Sequence, residues 1–159
     1  MNICLELMTR EKMHTFFREF VYDPDTFVSS GDIEPYSYDA VKADKFFEKH
    51  DRPDERHFAV MLEDAVIGDL YLKQIDHRTK SCTLSIHLIN DSVKNLGYGT
   101  TAERLAICYA FDELGLETVL ADTLISNQRS RRVLEKVGFV IISMDESRCY
   151  YRCSKSSLA

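Results

Sequence analysis

No apolar run in this chain approaches the roughly 20 residues of a membrane-spanning helix. The opening stretch, Met1 to Lys12, does not read as a secretory leader. The expectation is a cytoplasmic protein with no membrane partner. Cationic excess is missing too. With 20 Lys and Arg against 26 Asp and Glu, the formal charge is −6, which argues against a nucleic-acid binder that relies on a basic surface. The five cysteines (Cys4, Cys82, Cys108, Cys149 and Cys153) are odd in number and scattered. The closest pair, Cys149 and Cys153, is too sparse for a zinc knuckle, so they read as reduced small hydrophobes, and no metal is expected. Internal repeats, low-complexity stretches and interdomain linkers are also absent.

What is present is 159 residues, 45% hydrophobic and 11% aromatic, which is one globular domain with a real core. We assign residues 1–153 to that domain and 154–159 to a short tail, in which Ser154-Lys155-Ser156-Ser157 looks frayed. Charge is unevenly spread: residues 1–92 carry 11 basic and 18 acidic groups, residues 93–136 carry 6 and 6, and residues 137–159 carry 3 and 2. Asp23, Asp25, Asp32, Glu34 and Asp39 fall in a stretch without Lys or Arg, either a solvated acidic loop or a surface that attracts a cation.

Ile3 to Leu7 alternates like a half-buried strand, and Thr9 can cap a helix running to about Phe20. A turn-rich loop spans 21–36. Ser37 precedes a helix ending near His50. His57–Leu62, Ala65–Ile75 and Cys82–Ile89 then read as an antiparallel meander. Thr100–Leu114 is predicted as a helix whose apolar centre, Leu105 to Phe111, should be covered on both sides, and Gly115 ends it. Thr118–Leu124 is a strand, Asn127–Val137 a helix stopped by Gly138, and Val140–Met144 and Cys149–Cys153 a last pair of strands. The order is β-α-α-β-β-β-α-β-α-β-β, a mixed α/β sheet.

Two segments carry chemistry. Lys94-Asn95-Leu96-Gly97-Tyr98-Gly99-Thr100 lies between a strand and a helix. Its glycines allow close approach, and the helix that follows offers unpaired N–H groups to a phosphate. The spacing Gly97, Gly99, Ala102, with Asp122 standing 25 residues after Gly97, also invites a dinucleotide reading. Against that reading, Asn90 to Leu96 separate the turn from its strand, and too little chain follows for a doubly wound sheet. The second segment is Asn127 to Phe139. At helical spacing Asn127, Ser130, Leu134 and Val137 share one stripe, while Arg129 and Arg132 fall off it. Asn127 and Ser130 either hold a ligand or merely cap the helix.

Together these segments resemble the GNAT N-acetyltransferase superfamily. The coenzyme A loop R/Q-x-x-G-x-G/A is similar to Lys94-Asn95-Leu96-Gly97-Tyr98-Gly99. The later N-x-x-S/A and E-K-x-G-F signatures are similar to Asn127-Gln128-Arg129-Ser130 and Glu135-Lys136-Val137-Gly138-Phe139. The closest flavour is the branch of ribosomal-protein and polyamine acetyltransferases. The resemblance covers nearly the whole chain and implies the GNAT-like acyl-CoA N-acyltransferase fold.

It further implies acetyl-CoA as cosubstrate and a primary amine as acceptor. His87, Leu88 and Ile89 would bond the pantetheine arm, and Lys94, Asn95, Leu96, Gly97, Tyr98, Gly99 and Thr100 the pyrophosphate. Asn127 and Ser130 would hold the coenzyme. Lys94 stands where the family has Arg or Gln. Asn95 replaces a first glycine, a change that a left-handed Asn tolerates. Many relatives protonate the leaving thiolate with a tyrosine where this chain has Leu134, so Ser130 becomes the candidate acid, its alternative role being a coenzyme contact only. Leu88, or a residue near it, would polarise the carbonyl with its N–H. Thr83 stands where relatives often carry a basic Glu, which leaves the general base open between His87, Glu34 and water.

The acidic loop, with Tyr22, Phe27, Tyr36 and Tyr38, favours a cationic acceptor: a polyamine, an aminoglycoside or a protein amino terminus. The last strands leave room for a homodimer. The competing function is a catalytically weak acyl-CoA sensor of the same fold.

Overall fold

The computed structural model of the chain describes residues 2–22 and 37–158. Its elements follow the expected order: β1 (Ile3–Leu7), α1 (Arg10–Glu19), α2 (Ala40–His50), β2 (Arg56–Leu62), β3 (Ala65–Asp76), β4 (Ser81–Leu88), α3 (Tyr98–Cys108), β5 (Thr118–Leu124), α4 (Gln128–Val137), β6 (Val140–Met144) and β7 (Arg148–Ser154). The strands form one sheet in the order β1-β2-β3-β4-β5-β7-β6. Every pairing is antiparallel except β4 with β5. The last strand therefore returns between β5 and β6, leaving β6 on the edge with Val140, Ile141, Ile142 and Met144 exposed.

Helices cover both faces. On one, Met13 and Phe16 of α1 pack with Met8, Ala59, Met61 and Ile89. On the other, Ala102, Ala106 and Ile107 of α3 and Leu134 and Val137 of α4 pack with Leu70, Leu72, Leu84 and Val119. Each fully buried large side chain, such as Phe16 or Leu70, stabilises the fold by about 1.5–3 kcal/mol.

The elements begin and end where local chemistry dictates. Thr9 caps α1, its hydroxyl accepting from Lys12 N–H. α2, expected after Ser37, is capped by Asp39, whose carboxylate accepts from the amides of Val41 and Lys42. One of the loop carboxylates thus has a structural duty. α3 starts at Tyr98, two residues before the expected point, and widens into a π-turn over Tyr109–Glu113. The expected double cover of its apolar centre is not found. Leu105 and Cys108 are exposed, because the face opposite the sheet carries no further layer. The tail is also more ordered than expected, since Ser154 completes β7 and Lys155–Ser157 form a 3-10 turn. All five cysteines are free.

Candidate active site

β4 and β5 pair over three residues only, Ser81↔Thr118, Cys82↔Val119 and Thr83↔Leu120, and then diverge. A cleft opens between them. Three cavities of about 350, 110 and 560 Å³ follow one another along it and share walls. The first lies between the diverging strands, the small middle one against α3 and α4, and the largest beside the N-terminus of α3.

That last cavity has the chemistry of an anion site. Asn95 (φ 61°) and Gly97 (φ 83°) both adopt left-handed backbone, as the sequence requires of that Asn. The turn they make lets α3 begin at Tyr98. Its first intrahelical bond runs from Thr101 N–H to Gly97 O, so the preceding amides point out of the helix end. Lys94, Asn95, Gly97, Gly99 and Thr100 line the cavity. Leu96 and Tyr98 offer this turn their backbone alone: the Leu96 side chain is 58% exposed, and the Tyr98 side chain packs on the core. Opposite the turn, α4 presents Arg129, Arg132 and Lys136. Sequence reasoning left these three without a role, although their spacing of three and four residues places them on one helical face. Lys94 Nζ lies 3.2 Å and Arg129 Nη1 3.6 Å from Asp91, which ties the turn to α4. Together these are two guanidinium groups, two ammonium groups and a helix N-terminus, a donor set that suits the phosphates of coenzyme A.

The strand residues assigned to pantetheine divide. Ile89 is buried in the α1 cluster, its N–H donating to Ile67 O and its carbonyl accepting from Val21 N–H. It is therefore spoken for. By the alternation of an antiparallel strand, Leu88 N–H turns the other way, into the gap left by β5. Gly68 lets β3 lie close against β4 here, since a Cβ there would stand 2.7 Å from the His87 carbonyl oxygen.

His87 borders both the first and the middle cavity, its side chain 39% exposed. Behind it is Asp69 of β3, 1% exposed, which the sequence analysis did not single out. Asp69 Oδ2 is 3.2 Å from His57 Nε2, and Oδ1 is 3.4 Å from His87 Nδ1, an ion-pair contact rather than a well-formed hydrogen bond. Burial alone would raise the Asp69 carboxyl, but the bonds and charges of the two histidines outweigh it and hold the group low. Burial would likewise lower His87, and Lys73 and Lys94 add to that. The Asp69 carboxylate prevails, and the imidazole is raised above its ordinary value. Nearby, His50 bonds Glu55 at 2.7 Å and stacks on Tyr71, whose ring also meets those of His57 and His87.

On α4, Asn127 and Ser130 face the cleft as their stripe predicts. Asn127 Oδ1 accepts from Ser130 N–H at 3.1 Å and caps the helix, so capping and cleft-lining belong to one residue. Leu134 lines the same wall. Glu103 of α3, also unforeseen, enters from below. At the outer end of the first cavity Arg148 pairs with Asp122 at 2.6 Å. Tyr38 is bonded to His14 and lies under Arg18, while Tyr22 packs on Phe20. Asp23, Asp25, Phe27, Asp32, Glu34 and Tyr36 lie outside the described residues. Among the described residues no group of His, Cys, Asp or Glu is arranged to hold a metal ion, and no helix is long and apolar enough to cross a membrane.

The family described as acetyltransferase (GNAT) domain matches residues 2–140. The chain belongs to that family. Among curated proteins, the GNAT domain is similar to the probable N-acetyltransferase YjcK of Bacillus subtilis (strain 168), 32% identical over 97 residues that cover 60% of this chain and 54% of that protein. It therefore spans about half the length of the curated relative it matches. Among solved structures it is similar to a chimera of the spermidine N-acetyltransferase SpeG from Vibrio cholerae and hSSAT, with TM-score 0.78, 17% identity and coverage of 98% of this chain and 97% of that one. A dodecameric structure of the Vibrio cholerae spermidine N-acetyltransferase gives TM-score 0.75, 18% identity and coverage of 98% and 95%. These likenesses show the fold.

Proposed function

We propose that this GNAT domain moves the acetyl group of acetyl-CoA to a primary amine by direct attack. One arrangement carries the reading: a cleft that joins a phosphate-binding helix end to a carboxylate-backed histidine across diverging strands. In it, Arg129, Arg132, Lys136, Lys94 and the amides from Asn95 to Thr100 hold the phosphates, and Leu88 N–H polarises the acetyl carbonyl as its oxygen gains charge. The amine must lose a proton to become nucleophilic. His87 accepts it, with Asp69 holding the ring and stabilising its charged form. The amine nitrogen then forms the new bond to the acetyl carbon, and the carbon–sulfur bond breaks with its electrons going to sulfur. Ser130, at the start of α4, is the hydroxyl we place against that sulfur. Asn127 holds the helix turn that carries it.

A cationic acceptor is supported by the carboxylates of the segment between α1 and α2 and by the spermidine acetyltransferases among the structural neighbours. The free cysteines support a reducing, cytoplasmic setting. The apolar edge strand β6 supports self-association as a dimer. The sensor reading draws on Leu134, which puts no proton donor where it lines the cleft.

A thiol-release assay with acetyl-CoA over polyamines, aminoglycosides, amino acids and N-terminal peptides, with Ser130→Ala alongside, tests the proposal. Turnover on a cationic amine, reduced in the variant, is expected. Coenzyme A binding with no turnover on any acceptor would favour the sensor.

A further inference from the structure

α3 carries a carboxyl where packing asks for a hydrocarbon. Its neighbours Ala102, Ala106 and Ile107 are core residues, and Glu103 among them is 2% exposed, with Oε2 buried and no hydrogen-bond partner. Such a group opposes folding, and a well-packed apolar residue of similar size would not. It is also aimed at the chemistry. Glu103 borders both the gap between the diverging strands and the middle cavity, together with Ile86 and His87 of β4, Ser130 of α4 and its cap Asn127.

The charged groups around these cavities come from every neighbouring element: Lys73 on β3, His87 on β4, Lys94 in the turn, Arg129 on α4, and the Asp122–Arg148 pair on β5 and β7. None of them sets the state of the carboxyl. Burial alone pushes it up to about 8, so it carries a proton at neutral pH. Leu134 on the same wall has no proton to give, and a serine hydroxyl is too weak an acid to be a net source.

We infer that Glu103 supplies the proton taken up by the leaving thiolate, while the Ser130 hydroxyl steadies the sulfur with a hydrogen bond. The assignment rests on the acetyl-transfer reading above. As the carbon–sulfur bond breaks, the sulfur takes its electron pair and the Glu103 O–H gives its proton to that sulfur. The free thiol of coenzyme A results, and the Glu103 carboxylate regains a proton from water after the products leave. The proton lost by the amine goes separately to His87.

The test uses Glu103→Gln and Glu103→Leu beside the unaltered protein. We expect kcat to fall by about 100-fold in both, with KM for acetyl-CoA and the affinity for coenzyme A little changed. In the unaltered protein kcat should decline as pH rises through about 8, and that decline should be missing in Glu103→Gln. An infrared band of a protonated carboxyl should be present at neutral pH and absent from Glu103→Gln. Glu103→Leu should melt no lower than the unaltered protein, which separates lost chemistry from lost folding. Unchanged kcat and pH profile in either variant, weakened coenzyme binding at constant kcat, or no carboxyl band would overturn the assignment. Failure of the acetyl-transfer reading shows differently, as coenzyme A binding without turnover in the unaltered protein, and takes the assignment with it.

Discussion

Asp69 and His87 stand directly opposite each other in the β3–β4 ladder, with carboxylate Oδ1 3.4 Å from imidazole Nδ1. The carboxylate faces Nδ1, so the Nδ1 hydrogen belongs on that side and Nε2 is left for the cleft. Asp69 reaches His57 with its other oxygen, at 3.2 Å, which keeps the buried carboxylate charged and in place.

The acidic limb of the rate profile should report this pair. His87 must be neutral to accept a proton, and its raised pKa places the limb above the ordinary histidine value of 6.5. Asp69→Asn removes both influences that raise His87 and leaves burial, Lys73 and Lys94, which lower it. The limb should therefore move to lower pH, and kcat should fall by about 10- to 100-fold as the ring loses its orientation. A limb that stays in place in steady-state profiles would remove His87 from the proton path.

Stability should also depend on Glu103. Its folded pKa, about 8, lies above the ordinary 4.5, so the folded state keeps a proton that the unfolded chain gives up. The associated stability is complete below about 4.5 and is lost as pH rises through about 8. Glu103→Leu should flatten that dependence, its advantage growing from acid to mildly alkaline pH in urea titrations.

The turn before α3 offers a backbone test. An alanine at Gly97 meets nothing within 4 Å, so the cost of Gly97→Ala is the left-handed conformation itself, about 1–2 kcal/mol. Asn95→Gly, at φ 61°, should be neutral or slightly stabilising. Thermal melts would show the asymmetry, and coenzyme A affinity should follow it.

Arg132→Ala and Lys136→Ala should each weaken coenzyme A binding by about 3- to 10-fold, because each removes one charge from the cavity where we place the phosphates. The loss should shrink as salt is raised, since exposed charges are screened. Calorimetric titration at two ionic strengths measures both effects. Affinities that stay unchanged would move the phosphates off α4.

Asn127→Ala removes the cap of α4 and should cost about 1 kcal/mol of stability. Because the same bond holds Ser130 N–H, turnover should fall further than the melting shift alone would explain.

The element order was legible because each element announces itself locally. Alternation in Ile3–Leu7, the Thr9 cap, the left-handed need at Asn95 and Gly97, and the Asn127 stripe all act within a few residues. The same local rules put a helix after Ser37, and it starts at Ala40 behind Asp39. They also missed the start of α3 by two residues.

Sequence by itself determined the family-bearing turn, the cleft-facing stripe of α4 and the succession of strands and helices, since these rest on short-range periodicity and backbone preference. Tertiary structure alone decided the rest. β7 enters between β5 and β6, β4 parts from β5 after Thr83, and Asp69 meets two histidines from neighbouring strands. Each depends on strand register and on what covers each face, and those are set by contacts between residues far apart in the chain. The burial of Glu103 is of the same kind. A carboxyl's charge depends on the water around it, and only the packed fold removes that water.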